Sequence, residues 1–307
     1  MAPSVWEGKL VNGVLKVGKW TLAVFVLPCL LFYLAFVFAP IMVSVYYSLV
    51  EWAGMGDQVF VGLNNYKVLF TQDPIFWPSV LRTLYISLAS LLQVPIAIVV
   101  AILVSRYVRR PNFLISSYFL PVILSVVVIG QLWKSIYNPA SLGGMLNQML
   151  IKFGLESWTK TWLGDTDWAI FALCFVIFWQ YIGYHVLIQF TGVQNISSDI
   201  YEAASIDGAE GFKADRYITL PLLSPVIKIS VVLAAIGSLK AFDLIVVMTG
   251  GGPANTTEVI STHMYYMTFN SFKYGYGSAI STFLVAFCLV MTVLLNLAFK
   301  RAEEAAS

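Results

Sequence analysis

Five intervals of this chain, at residues 20–50, 83–105, 111–133, 168–191 and 274–299, run for the length of a bilayer crossing without an Asp, Glu, Lys or Arg. A sixth, at 229–249, is apolar except for Lys240 and Asp243. A helix needs about 20 apolar residues to cross the hydrocarbon core. The intervals therefore predict an all-α membrane protein with six transmembrane helices. Overall the 307 residues are 59% hydrophobic and 11% charged, against roughly 25% charge in soluble domains, which excludes a soluble globule. The first interval is long enough to tilt or to extend past the headgroups. Residues 107–110 leave room only for a tight connection between the second and third.

Orientation follows from Lys and Arg in the connections, because cytoplasmic loops carry the excess. One side holds Lys9, Lys16, Lys19, Arg106, Arg109, Arg110, Lys213, Arg216, Lys228, Lys300 and Arg301. The other holds Lys67, Arg82, Lys134, Lys152, Lys160 and Lys273. The richer side is cytoplasmic, so both termini are expected there. The resulting division is a cytoplasmic tail at 1–19, a six-span domain at 20–299 with a long cytoplasmic loop at 192–221, and a second tail at 300–307. The first apolar run is too long for a cleaved leader and is read as a retained anchor. Cys29, Cys174 and Cys288 all fall in spans, which argues against a disulfide framework and offers no metal spacing. A net charge of +2 carries no nucleic-acid signal. Residues 13–19 begin like a phosphate-binding loop, but Trp20 stands where Ser or Thr would hold magnesium, and no strand precedes it. No nucleotide site is expected in this chain.

The loop at 192–221 has its own punctuation. Asp199, with Glu202 three residues on, fits a helix start of the capping-box type. Gly208 supplies a turn that a residue with a β-carbon resists. A second helical piece is expected over about 210–217, closed by Leu220 and Pro221, since proline is tolerated at the first turn of the next helix. By these features alone the segment could be an ordinary amphipathic connector.

The spacing of Glu202, Ala203, Ala204, Gly208, Ile218, Leu220 and Pro221 resembles the cytoplasmic coupling motif of permease subunits in bacterial ATP-binding-cassette (ABC) importers. Phe60-Val61-Gly62-Leu63-Asn64-Asn65-Tyr66, residues 192–196, Asp207-Gly208-Ala209, Phe242-Asp243 and Thr249-Gly250-Gly251-Gly252-Pro253 are similar to the carbohydrate branch of that family. The likeness covers about residues 28–299. It implies the type I importer permease architecture in its compact six-span form, without the extra spans and external insertion of the maltose representative. It also implies partners: a second homologous permease, an ABC ATPase dimer that binds the ATP and magnesium, an extracellular solute-binding protein, and a sugar or oligosaccharide substrate in a cell membrane of lipid. In the family the coupling helix-turn-helix docks on the ATPase and passes on its closure as a rigid-body movement. That role falls here on Glu202, Ala203, Ala204, Asp207, Gly208, Ile218, Leu220 and Pro221. Small Ala203 and Ala204 permit close approach, while Glu202 is either a polar contact at the joint or just the capping partner. External segments 51–78, 137–167 and 250–253 would lie near the docked binding protein.

Polar groups inside the spans are the other candidates. Lys240 and Asp243, three apart on one predicted helical face, would each cost about 2.5 to 3.5 kcal/mol unpaired at the bilayer centre. They line the translocation path or form an ion pair that holds the bundle. Ile177, Gln180, Tyr181 and Tyr184 share a face of the fourth span, and pair stacking surfaces with planar hydrogen-bonding groups of the kind that bind sugars. Helix packing accounts equally for the tyrosines. By resemblance to the maltose-type permease, Gln180, Tyr181, Tyr184, Gly237, Ser238 and Ala241 line the substrate cavity. Gly237 and Ala241 offer little polar contact, which leaves most substrate contacts to the partner permease. His185 and His263 lack acidic or cysteine neighbours at ligand spacing and are read as packing residues.

The expectation is a permease subunit of an ATP-driven importer working by alternating access, without an ATPase site of its own. The alternatives are an ion-coupled secondary transporter or channel working without an ATPase, and a membrane-embedded enzyme. The enzyme would need a catalytic cluster at one depth, and only Lys240 with Asp243 offers itself.

Overall fold

The computed structural model describes residues 19–306. The tail at 1–18, most of the phosphate-loop-like run, and Ser307 lie outside the described residues. The first span is α1 (Lys19–Tyr33), a π-turn at Leu34–Phe38, and α2 (Ala39–Tyr47). Strands β1 (Val50–Glu51) and β2 (Val59–Phe60) form a small antiparallel hairpin outside it, and α3 (Asn64–Thr71) follows. Asn65 fixes this region, donating from Nδ2 to the Ser48 and Val50 carbonyls at 2.9 and 3.0 Å. Its neighbour Tyr66 donates to Ser48 Oγ at 2.8 Å.

The second crossing is α4 (Phe76–Leu91) with α5 (Gln93–Tyr107), and α6 begins at once as Pro111–Ile123. The tight connection is therefore present. The third predicted span is not one straight helix. α6 stops at Ile123, and α7 (Val126–Tyr137) leaves it at 93°. Leu124 and Ser125 are extended, with ψ of 147° and 134°. Pro121, lacking an N–H, weakens the last turn of α6.

Beyond α8 (Met145–Lys152) comes α9 (Ala169–Gln194), the centre of the bundle. Its best membrane window is 56% buried within the chain, against 0% for the first span. α9 buries Leu173, Val176 and Ile177 against Ile86, Ile129 and Ile245, and Val186 and Phe190 against Ala97, Ala101 and Ile115. Gly183 lets the backbone of α6 approach, since a β-carbon there would land on the Tyr118 carbonyl. The loop after α9 holds α10 (Ser198–Ile206) and α11 (Phe212–Ala214). From α11 the chain runs through a π-turn at Asp215–Thr219 into α12 (Leu220–Leu239).

This corrects the expected boundaries of the fifth span. Pro221 does fall in the first turn of the span helix, but helix is continuous over Phe212–Leu239, so Leu220 and Pro221 do not end the second coupling piece. The wider π-turn ends with the Leu220 N–H on the Asp215 carbonyl, immediately before the residue that has no N–H to give and whose ring would crowd a tighter turn. The span then breaks at residues 240–242 before α13 (Asp243–Met248). α14 (Ile260–Tyr265), a π-turn at Tyr266–Asn270 and α15 (Tyr274–Ala306) complete the chain. Among the described residues, five helices are long and apolar enough to cross a membrane, and the bent α6–α7 pair makes a sixth when counted as one span.

Candidate functional site

Two sites emerge, one at the helix breaks and one on the loop between α9 and α12. A cavity of about 300 Å³ lies where three discontinuities converge. These are the α4–α5 junction (Ser90, Gln93), the start of α7 (Val126), and the break after α12 (residues 240–243). Ile177, Tyr181, Tyr184 and His185 of α9 and Gly237 and Ser238 of α12 close it. Irregular backbone at membrane depth survives only where protein or a polar cavity satisfies it. Here Ser261 donates its hydroxyl to the freed Ala241 carbonyl, and Gln93 donates to the Ile177 and Phe178 carbonyls at 3.2 and 3.3 Å. His185 meets Ser230 at 2.7 Å, tying α9 to α12 behind the cavity.

Tyr181, Tyr184, Gly237, Ser238, Lys240, Ala241 and Asp243 are thus brought to one cavity, and Gln180 is not. Gln180 is 1% exposed and points into the helix packing, where its Oε1 meets no partner among the described residues. It sits one position off the face that Ile177, Tyr181 and Tyr184 share. Lys240 and Asp243 also depart from expectation. The break puts Lys240 at the end of α12 and Asp243 at the start of α13, so they do not share a helical face. No ion pair joins them among the described residues, and both are exposed in the cavity wall. Ser90, Gln93, Val126 and His185 were missed. Only the lone amide of Gln93 in an apolar span could have pointed to them.

On the loop, the cap of α10 is Ser197, whose hydroxyl accepts the Asp199 N–H at 3.3 Å. Asp199 lies within the first turn, so Glu202 is not a capping-box partner and remains exposed. α10 ends with the Ala209 N–H on the Ala204 carbonyl at 2.8 Å and the Gly208 N–H on the Ser205 carbonyl at 3.1 Å. That pairing needs a left-handed residue between, and Gly208 provides it with φ +75°. A second glycine, Gly211, has φ +56° and ψ −126° and starts α11. Two such residues fold the hairpin back, burying Ala204 and Ala214 and leaving Ile206, Phe212 and Tyr217 exposed. Tyr201 and Thr219 join hydroxyls at 3.0 Å between its two arms. Arg106, at the end of α5, pairs with Asp215 at 2.5 Å and donates to the Gly211 carbonyl at 3.1 Å.

Broken helices around a cavity among the apolar spans, with a hairpin on two helices that line it, fit a multi-pass membrane permease. A family model described as "Binding-protein-dependent transport system inner membrane component" matches residues 93–304. The chain belongs to that family. It is 35% identical over 284 residues to the probable ABC transporter permease protein YurN of Bacillus subtilis (strain 168), covering 91% of this chain and 96% of that protein. It is 32% identical over 281 residues to the multiple sugar-binding transport system permease protein MsmF of Streptococcus mutans, covering 91% and 94%. The fold matches a chain in the crystal structure of a bacterial ABC transporter involved in the import of the acidic polysaccharide alginate, with a TM-score of 0.79, 24% identity, and coverage of 95% and 99%. The chain is thus the inner-membrane component of a transport system, and the ATP hydrolysis that drives such systems belongs to another subunit.

Proposed function

We propose that this chain carries a sugar or oligosaccharide inward through the cavity at its helix breaks, driven through the hairpin at 198–219. The observation that carries the reading is geometric. The helix that begins in the hairpin, Phe212–Leu239, ends at residues 240–243 in the cavity wall. A push on one end therefore reaches the other through a single rigid element. A sugar is supported by the tyrosine faces beside Ser90, Gln93, Lys240 and Asp243, and by the relatives named for sugar transport.

In this reading Ile206, Phe212 and Tyr217 seat in a separate ABC ATPase that holds ATP and magnesium. Gly208 sets the turn, Ala203 and Ala204 allow close approach, and Glu202 and Asp207 offer exposed polar contacts. Ile218 in the wide turn and Leu220 and Pro221 at the start of α12 join the hairpin to its span. Tyr181, Tyr184, Gly237, Ser238, Ala241, Lys240 and Asp243 line the path, shared with a second permease, and Gln180 backs them from within the bundle. Both termini face the cytoplasm, and a sugar-loaded binding protein docks outside.

The test is uptake into proteoliposomes holding this chain, its co-encoded permease and the ATPase, with binding protein and a panel of radiolabelled sugars. Accumulation that requires both ATP and binding protein is expected. Accumulation under an ion gradient without ATP would overturn the reading in favour of a secondary transporter.

A further inference from the structure

The hairpin has two covalent outlets into the membrane, α9 through residues 195–197 and α12 through the π-turn. It has a third that is not covalent. Arg106, in the last turn of α5, lies 105 positions from Gly211 in sequence and reaches the second glycine turn and the π-turn of the hairpin directly. One guanidinium nitrogen takes the Gly211 carbonyl at 3.1 Å and the other takes Asp215 at 2.5 Å. The fork geometry of arginine suits two acceptors at once. Asp215 also accepts from Thr219 at 3.3 Å, and Thr219 pairs with Tyr201 of α10 at 3.0 Å. The chain of contacts thus runs from α5 through the second glycine turn and the π-turn to α10. The backbone at Gly211, which only glycine adopts readily, is what turns that carbonyl toward Arg106.

We propose that Arg106 is a positioning residue for transport: it clamps the coupling hairpin to the α4–α5 span, so that this span moves with the hairpin. The far end of α5, at Gln93, lines the cavity. Displacement of the hairpin then reaches two walls of the cavity together, one through α12 and one through α5. The inference rests on the coupling role proposed for the hairpin.

The decisive measurement is the spin-label distance between Lys213→Cys and Leu103→Cys, both exposed, in a cysteine-free background of the assembled transporter. With Arg106 intact, the distance stays fixed between nucleotide-free and ATP-bound states. With Arg106→Ala it changes on adding ATP, and uptake of whichever sugar the wild type accumulates falls by at least about fivefold, the low end of a typical coupling effect, while ATP hydrolysis persists. Arg106→Lys, which keeps one contact, falls between. Asp215→Ala should add little to Arg106→Ala, as expected of residues acting through one another. A distance that stays fixed in Arg106→Ala, or unchanged uptake, overturns the proposal. If Gly208→Val leaves transport coupled as well, the coupling role of the hairpin fails with it. If only Arg106→Ala is silent, the clamp alone fails.

Discussion

His263 and Asp73, 190 positions apart in the chain, meet at 2.7 Å through the imidazole Nε2 and a carboxylate oxygen. The other ring nitrogen lies 2.8 Å from Glu258. With carboxylates on both sides, the imidazolium is the form that can donate twice. Tyr276 donates its hydroxyl to the same Asp73 oxygen, and the second oxygen takes the Ile75 and Phe76 N–H groups at the start of α4. One buried network therefore pins α4, α14 and the head of α15 together. Glu258 is tied in further by Arg82, which reaches its carbonyl at 3.5 Å.

The network predicts a stability optimum in pH. Burial raises the Asp73 carboxyl, but hydrogen bonds from Tyr276, His263 and Ile75 outweigh it and hold the group below 3.8. Burial lowers His263, but Glu258 and Asp73 outweigh it and hold the ring above 6.5. The Asp73 contribution is full above 3.8 and is lost as pH falls through its lowered value. The His263 contribution is full below 6.5 and is lost as pH rises through its raised value. Melting temperature in detergent should peak between these limits, and His263→Gln should remove the alkaline decline. A wild-type decline that survives in the variant would contradict the assignment.

Removing the imidazole leaves two buried carboxylates without their cation. Breaking a buried pair in this way costs about 3 kcal/mol or more. His263→Ala should lower the melting temperature sharply, and Asp73→Asn should cost less, because the amide oxygen still accepts from the α4 N–H groups. Equal losses would contradict this ordering.

Gly183 gives a packing prediction. A β-carbon there would meet the backbone of Tyr118 and Phe119, which cannot swing aside. Gly183→Ala should destabilise by about 1 to 3 kcal/mol, as overpacking does. Thermal unfolding of the purified chain measures this, whereas Gly237→Ala, which meets nothing within 4 Å, should be nearly silent in stability.

In the cavity, Tyr184→Ala should reduce uptake while leaving assembly with the ATPase and its hydrolysis in place. Gln180→Leu should reduce stability or expression before it alters sugar preference, because Gln180 lies in the packing. Transport assays alongside copurification separate the two. A specificity change at Gln180 with none at Tyr184 would reverse the assigned faces.

The spans were legible because charge-free length is a local signal, and so was the Gly208 turn, because a cap and a glycine lie within one loop. The breaks at Leu124 and Ser125 and at residues 240–242 were not. Leu124 and Ser125 lie within an apolar run, and at residues 240–242 the freed Ala241 carbonyl is taken up by Ser261, a residue that only the fold brings there. The helical continuity through Pro221 was hidden for a related reason, since a π-turn has no residue signature and proline reads as a stop. His263 looked like a packing residue because Asp73 is supplied by a loop almost two-thirds of the chain away. Gly211 was visible in the sequence, but its carbonyl has a purpose only once Arg106 is in place.

The hairpin's role is tested most directly by the amount of sugar moved per ATP hydrolysed in proteoliposomes of the assembled transporter carrying Gly208→Val or Gly208→Asn. At φ +75° a β-branched residue is strained, whereas asparagine tolerates the left-handed region, and no neighbouring atom lies within 4 Å to obstruct either. Transport per ATP should collapse in Gly208→Val while hydrolysis continues, and should stay near wild type in Gly208→Asn. An unchanged ratio in Gly208→Val, with the chain inserted and assembled, would contradict the account.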